Sequence, residues 1–199
     1  MGRENGTDKE VQEVVVNDAG TDKTVFTAGF TGGSAITAWG FDYKNQVSNA
    51  PTGSSFTAIA GGSNHGYALD GNGEIQAWGG DGDNQVSNAP TGSGFTAIAS
   101  GASHGYALDG NGTIHAWGDD FYNQVSNAPT GLSFTVIASG NYHGYALDGN
   151  GTIHAWGLDD KNQVLSTPTG SGFTAIAGGK RHGYALDGNG EIHAWGGDG

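Results

Sequence analysis

Residues Phe56–Gly94 read FTAIAGGSNHGYALDGNGEIQAWGGDGDNQVSNAPTGSG, and near-copies of this stretch begin at Phe95, Phe134 and Phe173. Tryptophan occurs only at Trp39, Trp78, Trp117, Trp156 and Trp195, a constant spacing of 39 residues. Self-similarity at a fixed period of this length marks a repeat architecture, whose units bury their apolar faces only by stacking on one another. Upstream, TVFTAGFTGGSAITAWG over Thr24–Gly40 aligns with SNHGYALDGNGEIQAWG, and Val14–Val16 stand where FTAIA stands elsewhere. The expected organisation is a disordered leader over 1–12 and one domain over 13–199 made of five repeats, 13–55, 56–94, 95–133, 134–172 and 173–199.

Each unit predicts three short strands, FTAIA, HGYALD and EIHAWG, rich in aromatic, β-branched and small residues and separated by glycine-containing turns. In Asp70-Gly71-Asn72-Gly73 and its copies, Gly and Asn supply residue types able to adopt the positive φ angles of a tight hairpin. The connector NQVSNAPTG contains a proline and is expected to be a link rather than a central strand.

Apolar groups fall on both faces of these strands: Phe56, Ala58 and Ala60 are assigned to one face with Ile59 on the other, and Tyr67 and Leu69 oppose Ala68. A sheet with one wet face alternates more cleanly. Sheets stacked radially bury both faces, so the predicted fold is an all-β β-propeller of five blade-like repeats, either a closed five-bladed ring or part of a larger ring.

Composition narrows the function. Twenty acidic residues against seven basic ones give a formal charge of −13, which opposes binding to nucleic-acid phosphates. Fifteen of the acids are aspartate, a balance that suits solubility in high salt, as in a halophile, although any acidic soluble protein shares it. No stretch has the length of apolar residues needed for membrane insertion, Met1–Gln12 lacks a signal-peptide core, and the absence of cysteine leaves the redox compartment open.

The segment SGFTAIASGASHGYALDGNGTIHAWG, Ser93–Gly118, resembles the repeats of the regulator of chromosome condensation family of propellers. It is most similar to the short-repeat bacterial branch, which includes a secreted propeller that inhibits β-lactamases. The matching elements are A-I-A-x-G, the His before Y-A-L, the D-G hairpin, the A-W-G ending and the Asn-Gln-Val…Pro connector, over about residues 41–199. The resemblance implies three- or four-stranded blades, a protein partner and a cell-surface or extracellular location. The first copy departs from the pattern at Phe26, where the others have His65, His104, His143 and His182.

The copies differ from one another mainly in two places. One is the pair before the histidine, Ser63-Asn64, Ala102-Ser103, Asn141-Tyr142 and Lys180-Arg181; the other follows Trp-Gly, as Phe41-Asp42-Tyr43-Lys44, Gly80-Asp81-Gly82-Asp83, Asp119-Asp120-Phe121-Tyr122 and Leu158-Asp159-Asp160-Lys161. These loops end the first and third strands, which run the same way in an antiparallel sheet, so both are expected on one face of the ring. Phe41, Tyr43, Phe121, Tyr122 and Tyr142 supply aromatic anchors of the kind that interfaces favour. The other candidate contacts are Asp42, Lys44, Asn64, Asp81, Asp83, Asp120, Asp159, Asp160, Lys161, Lys180 and Arg181.

No catalytic residue, cofactor or metal is assigned. His115, His154 and His193 are replaced by Gln76 and Thr37 in other units, and His65 and its copies are expected to bond the backbone of a neighbouring strand. Asp70, Asp109, Asp148 and Asp187 begin turns that resemble a calcium loop but lack its later acidic ligands, and a hairpin accounts for them. The chain shows no nucleophile elbow and no phosphate-binding loop. The expected function is a non-catalytic scaffold that docks a protein; a carbohydrate-binding or adhesive module and a structural role in a cell-surface or viral assembly stay open.

Overall fold

A computed structural model describes residues 35–131 and 133–197. The leader, Val14–Val16 and Phe26 lie outside the described residues. The described chain contains strand and turn only, in twelve strands. These are β1 (Phe56–Gly61), β2 (His65–Asp70), β3 (Ile75–Gly79), β4 (Phe95–Ser100), β5 (His104–Asp109), β6 (Ile114–Gly118), β7 (Phe134–Ser139), β8 (His143–Asp148), β9 (Ile153–Gly157), β10 (Phe173–Gly178), β11 (His182–Asp187) and β12 (Ile192–Gly196). They form four antiparallel sheets of three strands in sequence order, so the blades are three-stranded. Ala35–Trp39, expected as the last strand of a first repeat, is not in a strand.

The sheets stack face against face, each on the next. Tyr67 and Leu69 of the first sheet pack with Phe95, Ile98 and Trp117 of the second. Tyr106 and Leu108 meet Phe134, Ile137 and Trp156 in the same way, and Tyr145 and Leu147 meet Phe173 and Trp195. Full burial of one such side chain contributes about 1.5–3 kcal/mol, so these apolar faces outweigh any single surface contact in holding neighbouring blades together.

One strand reads differently from its alternation. Phe95 and Ile98 face the preceding sheet, whereas Ala97 and Ala99 pack toward the following one, so the Phe does not share a face with the alanines. A register shift between Phe95 and Ala97, repeated between Phe56 and Ala58, inserts Thr96 or Thr57 as a bulge and turns the phenyl ring over. The threonine hydroxyl then bonds the facing strand, Thr57 Oγ1 to the Leu69 carbonyl at 3.1 Å.

The β2–β3 hairpins are closed by their first residue. Asp70 Oδ1 accepts the N–H groups of Asn72 and Glu74 at 2.8 and 2.9 Å. Only the last residue of Asp-Gly-Asn-Gly has a positive φ, +74° at Gly73, so the asparagine does not take the role expected for it. A Cβ at Gly73 would lie 2.6 Å from the Phe95 carbonyl oxygen, which leaves room for glycine alone.

Candidate functional site

Both variable loops of a unit emerge at the same end of its sheet and are bonded to each other. The N–H of Gly80 donates to the Asn64 carbonyl at 2.6 Å; Asp119 bonds Ser103 at 2.9 Å, Leu158 bonds Tyr142 at 2.9 Å and Gly197 bonds Arg181 at 3.0 Å. The first loops are also joined from sheet to sheet, Ser63 N–H to the Ala102 carbonyl at 3.2 Å and Ala102 N–H to the Asn141 carbonyl at 3.0 Å. A rim continuous over three sheets results, with the hairpin turns at the opposite end of each sheet.

Each connector tip is folded by residues the copies share. The aspartate that leads the turn accepts two backbone N–H groups with one oxygen, as Asp81 Oδ1 does from Val86 at 2.8 Å and Ser87 at 2.9 Å. Asp42, Asp120 and Asp159 make the corresponding pairs of bonds. The backbone bonds from Val47 and Ser48 hold the Asp42 carboxyl below its ordinary range, and those from Ser87 and Val86 do the same for Asp81. These four aspartates therefore shape the tips. The asparagine that follows has φ near +58° at Asn45, Asn84 and Asn162, a left-handed turn that asparagine tolerates.

The glutamine of Asn-Gln-Val, which is not among the candidate contacts, controls the geometry of the tips. The Gln124 side chain is fully buried; its Oε1 accepts the Tyr122 N–H at 2.8 Å and its Nε2 donates to Asp119 at 2.8 Å. Gln85 accepts the Asp83 N–H, and Gln163 accepts the Lys161 N–H and donates to Asp160. The carbonyls of Gln85, Gln124 and Gln163 meanwhile accept the tryptophan N–H of the following sheet at 2.9 Å. One residue thus fixes a variable tip and a blade boundary together. Its repetition next to the most variable positions was the available signal.

The variable side chains form separate groups along the rim. Phe41 and Tyr43 stack with ring centres 6.0 Å apart and Lys44 Nζ sits 4.7 Å over the Tyr43 ring; all three are exposed. Phe121 meets Tyr122 edge to face at 4.9 Å, and Tyr122 reaches Tyr142 of the next unit at 5.3 Å. Between these groups lies the aromatic-free tip Gly80-Asp81-Gly82-Asp83, beside exposed Asn64. Farther on, Arg181 pairs with Asp160 at 3.3 Å, and Lys161 and exposed Lys180 complete a charged segment. No ring contact among the described residues joins the two aromatic groups to each other.

Residues 56–85, 95–124 and 134–163 match the regulator of chromosome condensation (RCC1) repeat. These three units are similar to RCC1 repeats. No curated protein matches the chain. Among solved structures, the ectodomain of the receptor kinase CR4 from Physcomitrella patens is similar, with 28% identity, a TM-score of 0.60, and coverage of 71% of this chain and 40% of that one. Yeast RCC1 (Prp20), solved with Kap60 bound, shares 22% identity at a TM-score of 0.61 over 73% of this chain and 45% of its own. Prp20p from Saccharomyces cerevisiae, described together with its binding properties to Gsp1p and histones, shares 20% at a TM-score of 0.61, over 74% and 48%. The chain thus spans less than half the length of these propellers.

The histidine before Y-A-L links one sheet to the next. His65 Nε2 bonds Ser100 Oγ of the next sheet at 2.9 Å, and His104 Nε2 bonds Ser139 Oγ at 3.0 Å, so each ring has a side-chain partner across the blade boundary. Both histidines are buried. At the hairpin end, His115, His154 and His193 pair with Asp109, Asp148 and Asp187 at 3.2 Å. Asp187, Glu191 and His193 place ligand atoms within 4.8 Å of one another, and the other hairpins lack one member of that set, having Gln76, Thr113 or Thr152.

Proposed function

We propose that the RCC1-type scaffold docks a folded protein partner through the variable rim, without catalysis. Aromatic anchors Phe41, Tyr43, Phe121 and Tyr122 make the central contacts, with Tyr142 supporting Tyr122 from the next blade. Lys44, Asn64, Asp83, Asp160, Lys161, Lys180 and Arg181 form the polar periphery, while Asp42, Asp81, Asp120 and Asp159 act by holding the tips. The observation that carries this reading is the outward display of large aromatics, Phe121 81% and Tyr43 69% exposed, on loops pinned by the buried Gln124 and the half-buried Gln46. Loop drift would favour small polar residues at such positions, and rigid presentation lowers the entropy lost on docking.

A lectin would repeat the same pocket in every unit, whereas these tips are chemically unlike one another. The short unit and the aromatic and acidic tips also support kinship with the short-repeat bacterial branch, which makes an extracellular protein the first partner to test. The test is capture of partners by the intact chain beside a variant with Tyr43, Phe121 and Tyr122 changed to Ala, and a control with Asn72, Asn111 and Asn150 changed to Ala on the hairpin rim. The reading requires partners that the control retains and the rim variant loses; equal retention by both overturns it.

A further inference from the structure

The last sheet exposes the face that every earlier sheet buries. Tyr67, Tyr106 and Tyr145 are wholly buried and Leu69, Leu108 and Leu147 nearly so, but their counterparts Tyr184 and Leu186 are 46% and 37% exposed, and Ile192 is 75% exposed. Ala177 and Ala194 on the same sheet are exposed as well. An open pocket lies there, lined by His182, Tyr184, Ala194, Trp195, Gly196 and Gly197.

What fills this place is visible at the three internal boundaries. The tryptophan of the following unit packs edge to face on the tyrosine, with ring centres 5.1–5.3 Å apart, and its N–H reaches the tyrosine oxygen at 3.1–3.2 Å. The uncovered sheet is therefore shaped for a tryptophan-bearing repeat of the same kind. At the other end of the described chain, Trp39 is 52% exposed, while Trp117, Trp156 and Trp195 are buried. Among the described residues, one chain thus shows an unfilled tyrosine socket and an unseated tryptophan.

We propose that a second copy of this chain docks head to tail, seating its Trp39 on Tyr184 and continuing the internal blade interface across the contact. Such a contact is heterologous, so the two halves sit on different ends of each chain, and two copies together span most of the length of the similar propellers. Each chain carries a formal charge of −13, so repulsion opposes the association and added salt strengthens it.

The polarity of the contact gives the test. Tyr184→Lys blocks the socket and Trp39→Lys blocks the plug, and both positions are exposed in the single chain, so circular dichroism and the thermal midpoint verify that each variant stays folded. Sedimentation across concentration, in low and high salt, should show self-association of the unaltered chain. Each variant alone should sediment as a monomer. An equimolar mixture should recover a species of two chains, because the socket of one variant and the plug of the other are intact. Monomers of the unaltered chain at every concentration and salt level, association that survives both substitutions, or a mixture that stays monomeric would each overturn the proposal.

Discussion

The indole N–H of Trp156 lies 3.1 Å from the phenolic oxygen of Tyr106 in the preceding sheet, and both groups donate to the Gln124 carbonyl, at 2.9 and 2.6 Å. Three unlike functions meet at this point: sheet stacking, satisfaction of two buried donors and anchoring of a rim tip. Trp156→Ala removes the ring and leaves the Tyr106 side uncovered, and is expected to destabilise by about 3–5 kcal/mol. Trp39→Ala removes a largely exposed ring and should change the stability of the single chain by under about 0.5 kcal/mol. Guanidinium unfolding of the two variants distinguishes a boundary residue from a surface one.

Glycine precedes the boundary tyrosine in every complete unit because the tryptophan of the same sheet lies over it. A Cβ at Gly105 would sit 2.4 Å from the Trp117 ring, whereas one at Gly82 has nothing within 4 Å. Gly105→Ala should therefore destabilise by about 1–3 kcal/mol through overpacking, with Gly82→Ala close to neutral. Equal thermal midpoints for the two variants would contradict the packing described.

Acid should weaken the fold through its turn aspartates. The Thr113, Thr152 and Glu191 backbone N–H groups, followed by the hairpin histidines, hold Asp109, Asp148 and Asp187 below the ordinary value of 3.8. A carboxylate lowered in this way stabilises the folded state above its unfolded value, and that contribution fades as pH falls through the lowered one. The thermal midpoint should drop below about pH 4, and Asp109→Asn, which keeps an acceptor without the charge, should shallow the drop. A midpoint flat from neutral pH to pH 3 would be the contrary result.

Base acts on a different set. Burial, opposed in part by the bonds from Trp117, Trp156 and Trp195, raises Tyr67, Tyr106 and Tyr145 above the ordinary phenol value of 10.0. Groups raised on folding stabilise below the unfolded value and lose that contribution as pH climbs through the folded one. Absorbance titration should show three of the seven tyrosines silent until the chain unfolds. Seven equivalent phenols would place the boundary tyrosines in solvent.

The strands and their stacking were legible because H-G-Y-A-L-D places large groups on one face and a small one on the other, and both faces are buried at Tyr67, Ala68 and Leu69. The orientation of Phe56 was not, because simple alternation carries no signal for a bulge at Thr57. The partner of His65 was equally hidden, since Ser100 stands 35 residues away and meets it only after two sheets stack. The loops of the rim could be placed from strand direction alone. Which aspartates shape the tips rather than face outward required the bonds of Asp81 and Asp120 to be seen.

Hydrogen exchange on a captured complex tests the central claim most directly. Protection on partner binding should concentrate at 41–44, 80–83, 119–122, 141–142, 158–161 and 180–181, with the hairpin turns 71–74, 110–113, 149–152 and 188–191 unchanged. Protection confined to those hairpin turns would contradict the account, because the partner would then sit on the wrong end of every sheet.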